Sequence, residues 1–111
     1  MSDDAKALVV IGLRAFRSKN VARCEKDFHL VAQWSETDWA CAAAGELGEA
    51  CNLIKKRRRG ENVPVADVAR ELADAVTYLD LLACRLGIDL GQALVDKFNE
   101  VSDRIGSSHR F

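Results

Sequence analysis

The sequence predicts an all-α fold, a bundle of four to five helices around a central antiparallel hairpin that turns near Gly60. Three observations lead there. Apolar residues recur at a period near 3.6 in several stretches, the mark of amphipathic helices. The 111 residues include one proline and seven glycines, so few positions interrupt a helix. The strongest stop and start signals, Gly60 and Pro64, sit close together in mid-chain between two of those stretches.

The elements follow in order. A first helix is expected from about Ala5 to Lys19, with Leu8, Ile11 and Ala15 on one side. Asn20 to Gln33 shows little periodicity and reads as a polar linker. A second helix opens at Ser35, which has capping-box spacing to Asp38. It continues through Ala40, Ala43, Ala44, Leu47, Ala50, Cys51 and Ile54. The basic run Lys55 to Arg59, then Gly60, provides the expected stop. Pro64 begins a third helix, since proline is tolerated in a first turn. Its apolar stripe is Val65, Val68, Leu72, Val76, Leu79, Ala83 and Leu86, and Gly87 ends it. Asp89 caps a fourth helix that runs to about Ile105, with Leu90, Ala93, Leu94, Phe98 and Val101 inward. The tail Gly106 to Phe111 reads as loose. There is no internal repeat.

Composition sets the class. The length fits one domain over residues 1–111 with a modest core. Hydrophobic residues make up 49% and charged residues 30%, and the net charge is −1, so the chain as a whole has no polyanion-binding character. Nucleic acid is not an expected partner. Leu8 to Leu13 is too short for a signal-peptide core and follows Asp3 and Asp4 rather than a basic start. No stretch approaches the roughly 20 apolar residues of a membrane span. A cytoplasmic protein is expected. Cys24, Cys41, Cys51 and Cys84 form no C-x-x-C pair and read as buried small hydrophobes in a reducing compartment.

Two acidic signatures carry the chemistry. Glu46 and Glu49 read E-x-x-E; Glu71 and Asp74 read E-x-x-D. Glu46 and Asp74 are equally far from Gly60 along the chain, and so are Glu49 and Glu71. A hairpin turning there brings Glu46 beside Asp74 and Glu49 beside Glu71, with each pair on one helix face. Both pairs have the same offset from their apolar stripe, at and beyond the edge where two packed helices frame a groove. Four carboxylates together repel unless cations hold them, and hard oxygen ligands suit Mg²⁺, with Mn²⁺ a possible substitute. Singly, either signature is an ordinary solvated helix face. Mirrored about a clear turn, they point to a site. Gly45 and Gly48 flank Glu46, each costing a helix about 1 kcal/mol relative to alanine.

The run Lys55 to Arg59 points all round its helix, so most of it is solvated; Lys55 and Lys56 lie nearest the acids. Trp34, ahead of the cap, is the better of the two tryptophans for stacking on a base. Tyr78 lies one turn past Asp74 on the same face.

These elements together resemble the MazG-like nucleotide pyrophosphohydrolases of the all-α NTP pyrophosphohydrolase superfamily. The resemblance spans roughly Phe28 to Arg104. Its elements are Phe28-His29 and Trp34, the stretch Ala44 to Ala50, Ile54-Lys55-Lys56, Glu71 to Asp74 with Tyr78-Leu79-Asp80, and Lys97-Phe98-Asn99. It implies a single MazG-like helical domain that hydrolyses a nucleoside triphosphate to the monophosphate and pyrophosphate. By position, Glu46, Glu49, Glu71 and Asp74 would bind Mg²⁺. Lys97 and Asn99 would contact substrate phosphate or sugar, and Trp34 and His29 would sit near the base. The resemblance also implies a homodimer or homotetramer. Glu49 is the candidate general base, and a deoxyribonucleoside triphosphate the expected substrate, with no base singled out. The rival from another class is a small helical interaction module that binds nucleic acid or a partner protein. Mg²⁺-dependent pyrophosphate release separates the two.

Overall fold

The structure, a computed structural model that describes residues 12–111, consists of four α-helices and one short 3₁₀ turn. The helices are α1 (Leu13–Asp27), α2 (Glu36–Arg58), α3 (Val65–Arg85) and α4 (Leu90–Ile105); the turn is Val31–Gln33. Among the described residues there is no strand, and no helix is long and apolar enough to cross a membrane.

Local chemistry sets the helix ends. Ser35 Oγ accepts the Asp38 N–H at 3.1 Å while Asp38 Oδ2 accepts the Ser35 N–H at 2.9 Å, a reciprocal cap for α2. Four cations in its last turn face the negative end of the helix dipole. Gly60, at φ 88°, turns the chain in a conformation that a side chain would strain. Arg57 Nη1 donates to Val63 O at 2.6 Å and ties the loop to α2. The Asp89 side chain caps α4 by accepting the Gln92 N–H.

The α2–α3 hairpin is the frame of the molecule. Buried Ala43, Ala50, Ala75 and Ala83 let its backbones approach closely. Cys24, Val31, Trp39 and Leu81 form the core cluster, joining α1, the 3₁₀ turn, α2 and α3. Trp39 Nε1 donates to Val31 O at 3.0 Å, so the buried indole is satisfied.

Four sequence expectations need correction. Asn20 to Asp27 is helix, not linker: α1 continues through it. Its inner face carries Arg17, Asn20, Val21 and Cys24, a helical spacing whose anchors are largely polar. Asp80 is fully buried, and it accepts from Arg17 Nε at 2.8 Å and Asn20 Nδ2 at 3.1 Å. The part of the expected first helix from Ala5 to Ile11, with Leu8, lies outside the described residues.

Most of the apolar stripe of α3 lies outside the core, although Ala83 is buried and Val68 half-buried. Leu72, Val76, Leu79 and Leu86 are each between 44 and 47% exposed, and Val65 more so. The buried positions are Ala75, Asp80, Leu81 and Ala83, because α2 and α1 pack on the neighbouring face. On α4, likewise, Leu94, Phe98 and Ile105 are exposed, and the helix leans on α1.

The last two corrections are smaller. Cys41 and Cys51 are exposed, Cys84 is half-buried, and Cys24 alone of the four is buried. The tail from Gly106 turns back on α4 rather than hanging free. Asn99 Nδ2 donates to Phe111 O, Phe111 N donates to Asn99 Oδ1, and the Phe111 ring meets Phe98 edge-on.

Candidate metal centre and the cavity beside it

The hairpin register that packs Ala43 and Ala50 against α3 also carries Glu46 and Glu49 to Glu71. Carboxylate oxygens of these three residues lie within 4.8 Å of one another. Glu46 and Glu71 are half-buried and Glu49 is exposed, so the trio opens outward from the helix interface. Glu49 and Glu71 therefore meet, as the symmetry about Gly60 requires. Asp74 is not within that distance of all three, but its charge acts on Glu49.

The electrostatics are those of crowded acids. The Glu49 carboxyl is held above its ordinary range, first by its hydrogen bond with Glu71 and by the Glu71 charge. Partial desolvation adds to this, as does the Asp74 charge, while a hydrogen bond with Glu46 acts the other way. Glu71 Oε2 is buried and has no hydrogen-bond partner among the described residues. A buried carboxylate oxygen without a donor is costly. A cation is one group that would satisfy it, and the all-oxygen donor set suits a hard divalent ion.

Beside the trio lies a cavity of about 370 Å³, which Asp74 lines together with His29, Trp34, Trp39 and Tyr78. The ring centroids of Trp34 and Trp39 are 4.5 Å apart, those of His29 and Trp34 4.7 Å, and those of Trp39 and Tyr78 6.2 Å. Arg85 Nε donates to Trp34 O at 3.0 Å and fixes the backbone there. Exposed Phe28 forms the rim. Asn20 and Arg23 from α1 and Thr77 from α3 add polar groups to the lining. Reading the sequence singled out none of those three. They are ordinary polar residues: Thr77 lies on α3 between Asp74 and Tyr78, and the docking of α1 brings Asn20 and Arg23 to it. Burial pushes the Cys24 thiol up, and the thiol donates to His29 O.

The remaining candidates are dispersed. Lys55 shares a shallow concavity with Glu49, Gly45 and Gly48 on the outer side of α2. Among the described residues, no atom beyond the chain neighbours and the helix's own backbone comes within 4 Å of a Cβ built on either glycine, so the space they leave is open there. Lys97 pairs with Glu100 at 3.2 Å on α4 and lines an apolar groove there. Neither Lys97 nor Asn99 belongs to the trio or lines the aromatic cavity. Both ends of the Asn99 amide are engaged by the Phe111 backbone. Arg59 of the basic run pairs with Glu61.

The chain matches no known protein-family model, no curated protein and no solved structure.

Proposed function

We propose that this protein is a Mg²⁺-dependent nucleoside triphosphate pyrophosphohydrolase that converts a deoxyribonucleoside triphosphate to its monophosphate and pyrophosphate, a reaction that clears nucleotides from the cytoplasmic pool. The observation that carries the reading is the Glu46–Glu49–Glu71 trio with its unpartnered Glu71 Oε2, set beside an aromatic cavity that Asp74 adjoins. The MazG-like pattern in the sequence supports the same reading.

Glu46, Glu49, Glu71 and Asp74 would hold the metal. When bound, Mg²⁺ would screen the phosphate charges and make water easier to deprotonate. Glu49 suits the role of proton acceptor: it is the most exposed of the trio, and its crowded neighbours raise its proton affinity. His29, Trp34 and Tyr78 offer the flat apolar walls that a base needs. Lys55, in the same concavity as Glu49, offers positive charge to the triphosphate. Asn99 takes no part, because its amide is engaged by Phe111; Lys97 enters only as a group lent across a subunit interface.

A homo-oligomer belongs to this proposal. The exposed row Leu72, Val76, Leu79 and Leu86 lies on the helix that carries Glu71 and Asp74. A second copy packed there would bury the row and border the site.

The test is pyrophosphate release from the four standard dNTPs, in Mg²⁺ and in chelator. Release that requires Mg²⁺ is expected. Glu71→Gln should lower it by about a hundredfold or more, since even groups one step removed from a metal cost about 10–100-fold. Release from none of the dNTPs, or equal release in chelator, would reject the reading and favour the interaction module.

A further inference from the structure

We propose that Asn20 selects the base that enters the aromatic cavity: its side-chain oxygen is a fixed acceptor that favours a base whose pairing edge carries an exocyclic amino group over one carrying a carbonyl there. The proposal rests on reading the cavity as a base-binding site.

Asn20 is 4% exposed and lines the cavity. Its Nδ2 donates to Thr77 O at 3.0 Å and to Asp80 Oδ2 at 3.1 Å. The first partner is a main-chain carbonyl and the second a carboxylate ion-paired to Arg17, so both can only accept. Turning the amide over would set Oδ1 against two acceptors. The orientation is therefore fixed by the chemistry of its two partners. Both amide hydrogens are committed, and among the described residues no donor reaches Oδ1. Among the described residues Oδ1 is not one of the sealed, unpartnered side-chain atoms, Glu71 Oε2 being the one found, and the proposal takes the cavity that Asn20 lines as the space Oδ1 faces.

Neighbouring groups have the same sense. His29 Nδ1 lies 2.9 Å from Leu30 O and must donate to it, which leaves Nε2 of the neutral ring as an acceptor. Thr77 Oγ1 donates to Ala73 O at 2.9 Å, leaving its lone pairs. Asp74 adds a carboxylate. The donors of the lining are Arg23, exposed at the mouth, the Trp34 indole N–H and the Tyr78 hydroxyl; none of them lies on Asn20 Oδ1. An amino group, such as that of cytosine or adenine, can donate into such a wall. The carbonyl of uracil or hypoxanthine at the same place would meet lone pairs and leave its own oxygen unsatisfied. One such exchange corresponds to roughly tenfold or more in affinity. Asp80 acts here as a positioning residue, because it holds the amide without touching the ligand.

The experiment uses the fact that both tryptophans of the chain line the cavity. Tryptophan emission of the full chain, in chelator, is followed during titration with deoxycytidine against deoxyuridine, and deoxyadenosine against deoxyinosine. The amino member of each pair should bind about tenfold more tightly. Equal or reversed affinities, or no response to any of the four, would overturn the proposal. Neither metal nor phosphate takes part, so failure of pyrophosphate release and failure of base selection are separate results. In Asn20→Ala the ratio should fall close to one. Asp80→Asn can donate as well as accept, so Asn20 can turn over and the ratio should fall or reverse while binding itself persists. Either variant, shown folded by its thermal transition and keeping the wild-type ratio, would remove Asn20 from the role.

Discussion

Carboxylate oxygens of Glu49 and Glu71 lie within 4.8 Å of one another, and two carboxylates that close resist being ionised together. The consequence for stability has a definite sign. A carboxyl whose proton affinity is raised by folding adds stability below its ordinary value, 4.5 for Glu49. That stability is lost as the pH rises through the raised value. In chelator, the melting temperature should therefore fall between pH 4.5 and neutrality, and Mg²⁺ should reduce the fall. Glu49→Gln should flatten the profile in chelator and raise the neutral-pH melting temperature. A profile equally steep in that variant would assign the effect elsewhere. Asp38 and Asp89 do not confuse the measurement. Capping hydrogen bonds at Ser35 hold the Asp38 carboxyl below its ordinary value, and the Arg14 side chain does the same for Asp89. Their contribution is present above 3.8 and is lost as the pH falls, which is the opposite sense in a lower window.

Among the elements, α1 is the one whose place depends on polar contacts. Arg17 joins Asp80 at 2.8 Å and also donates to Ile88 O at 2.9 Å, linking α1 to α3 and to the α3–α4 connection. Removing one partner of a buried ion pair costs about 3–5 kcal/mol. Arg17→Ala should cost about 3 kcal/mol, toward the low end because the arginine is itself partly exposed, as measured by urea denaturation. A loss below about 1 kcal/mol would show that α1 does not depend on this pair. The same feature explains what the sequence concealed. Helices α2, α3 and α4 were legible because Ser35 with Asp38, Pro64 and Asp89 punctuate clear apolar periods. The second half of α1 was not, because Arg17 and Asn20 occupy positions where a periodicity argument looks for apolar side chains. The meeting of Glu49 with Glu71 was legible from their symmetry about Gly60, whereas Asp74, expected beside Glu46, lies outside the trio. The Asn20, Arg23 and Thr77 lining was not legible, since nothing in their spacing announces that α1 will dock against α3. The α3 stripe was read as core because amphipathicity tells which face is apolar, not what covers it.

At the scale of the molecule, the described residues leave a broad apolar surface uncovered. Its radius of gyration is 16.7 Å, against about 13 Å for a compact domain of this length. Leu72, Val76, Leu79 and Leu86 on α3, with Leu47 and Ile54 on α2, are all about half exposed. A stable interface buries about 1,200–2,000 Å² in total. Light scattering at micromolar concentration should show a dimer or larger species. Val76→Glu, which places a charge at the middle of the α3 row, should shift it to monomer with the helical content retained. A wild-type protein that is monomeric at that concentration would defeat the expectation.

The paired indoles have an optical consequence. Trp34 and Trp39 stand 4.5 Å apart with ring planes at 47°, close and oblique enough for their excited states to couple. Coupled chromophores in a chiral arrangement give a bisignate band in the far-ultraviolet dichroism, and this one falls on the helical minimum. The ellipticity of the folded chain is therefore a sum of backbone and ring contributions. Helix content taken from it alone is biased by the geometry of two side chains.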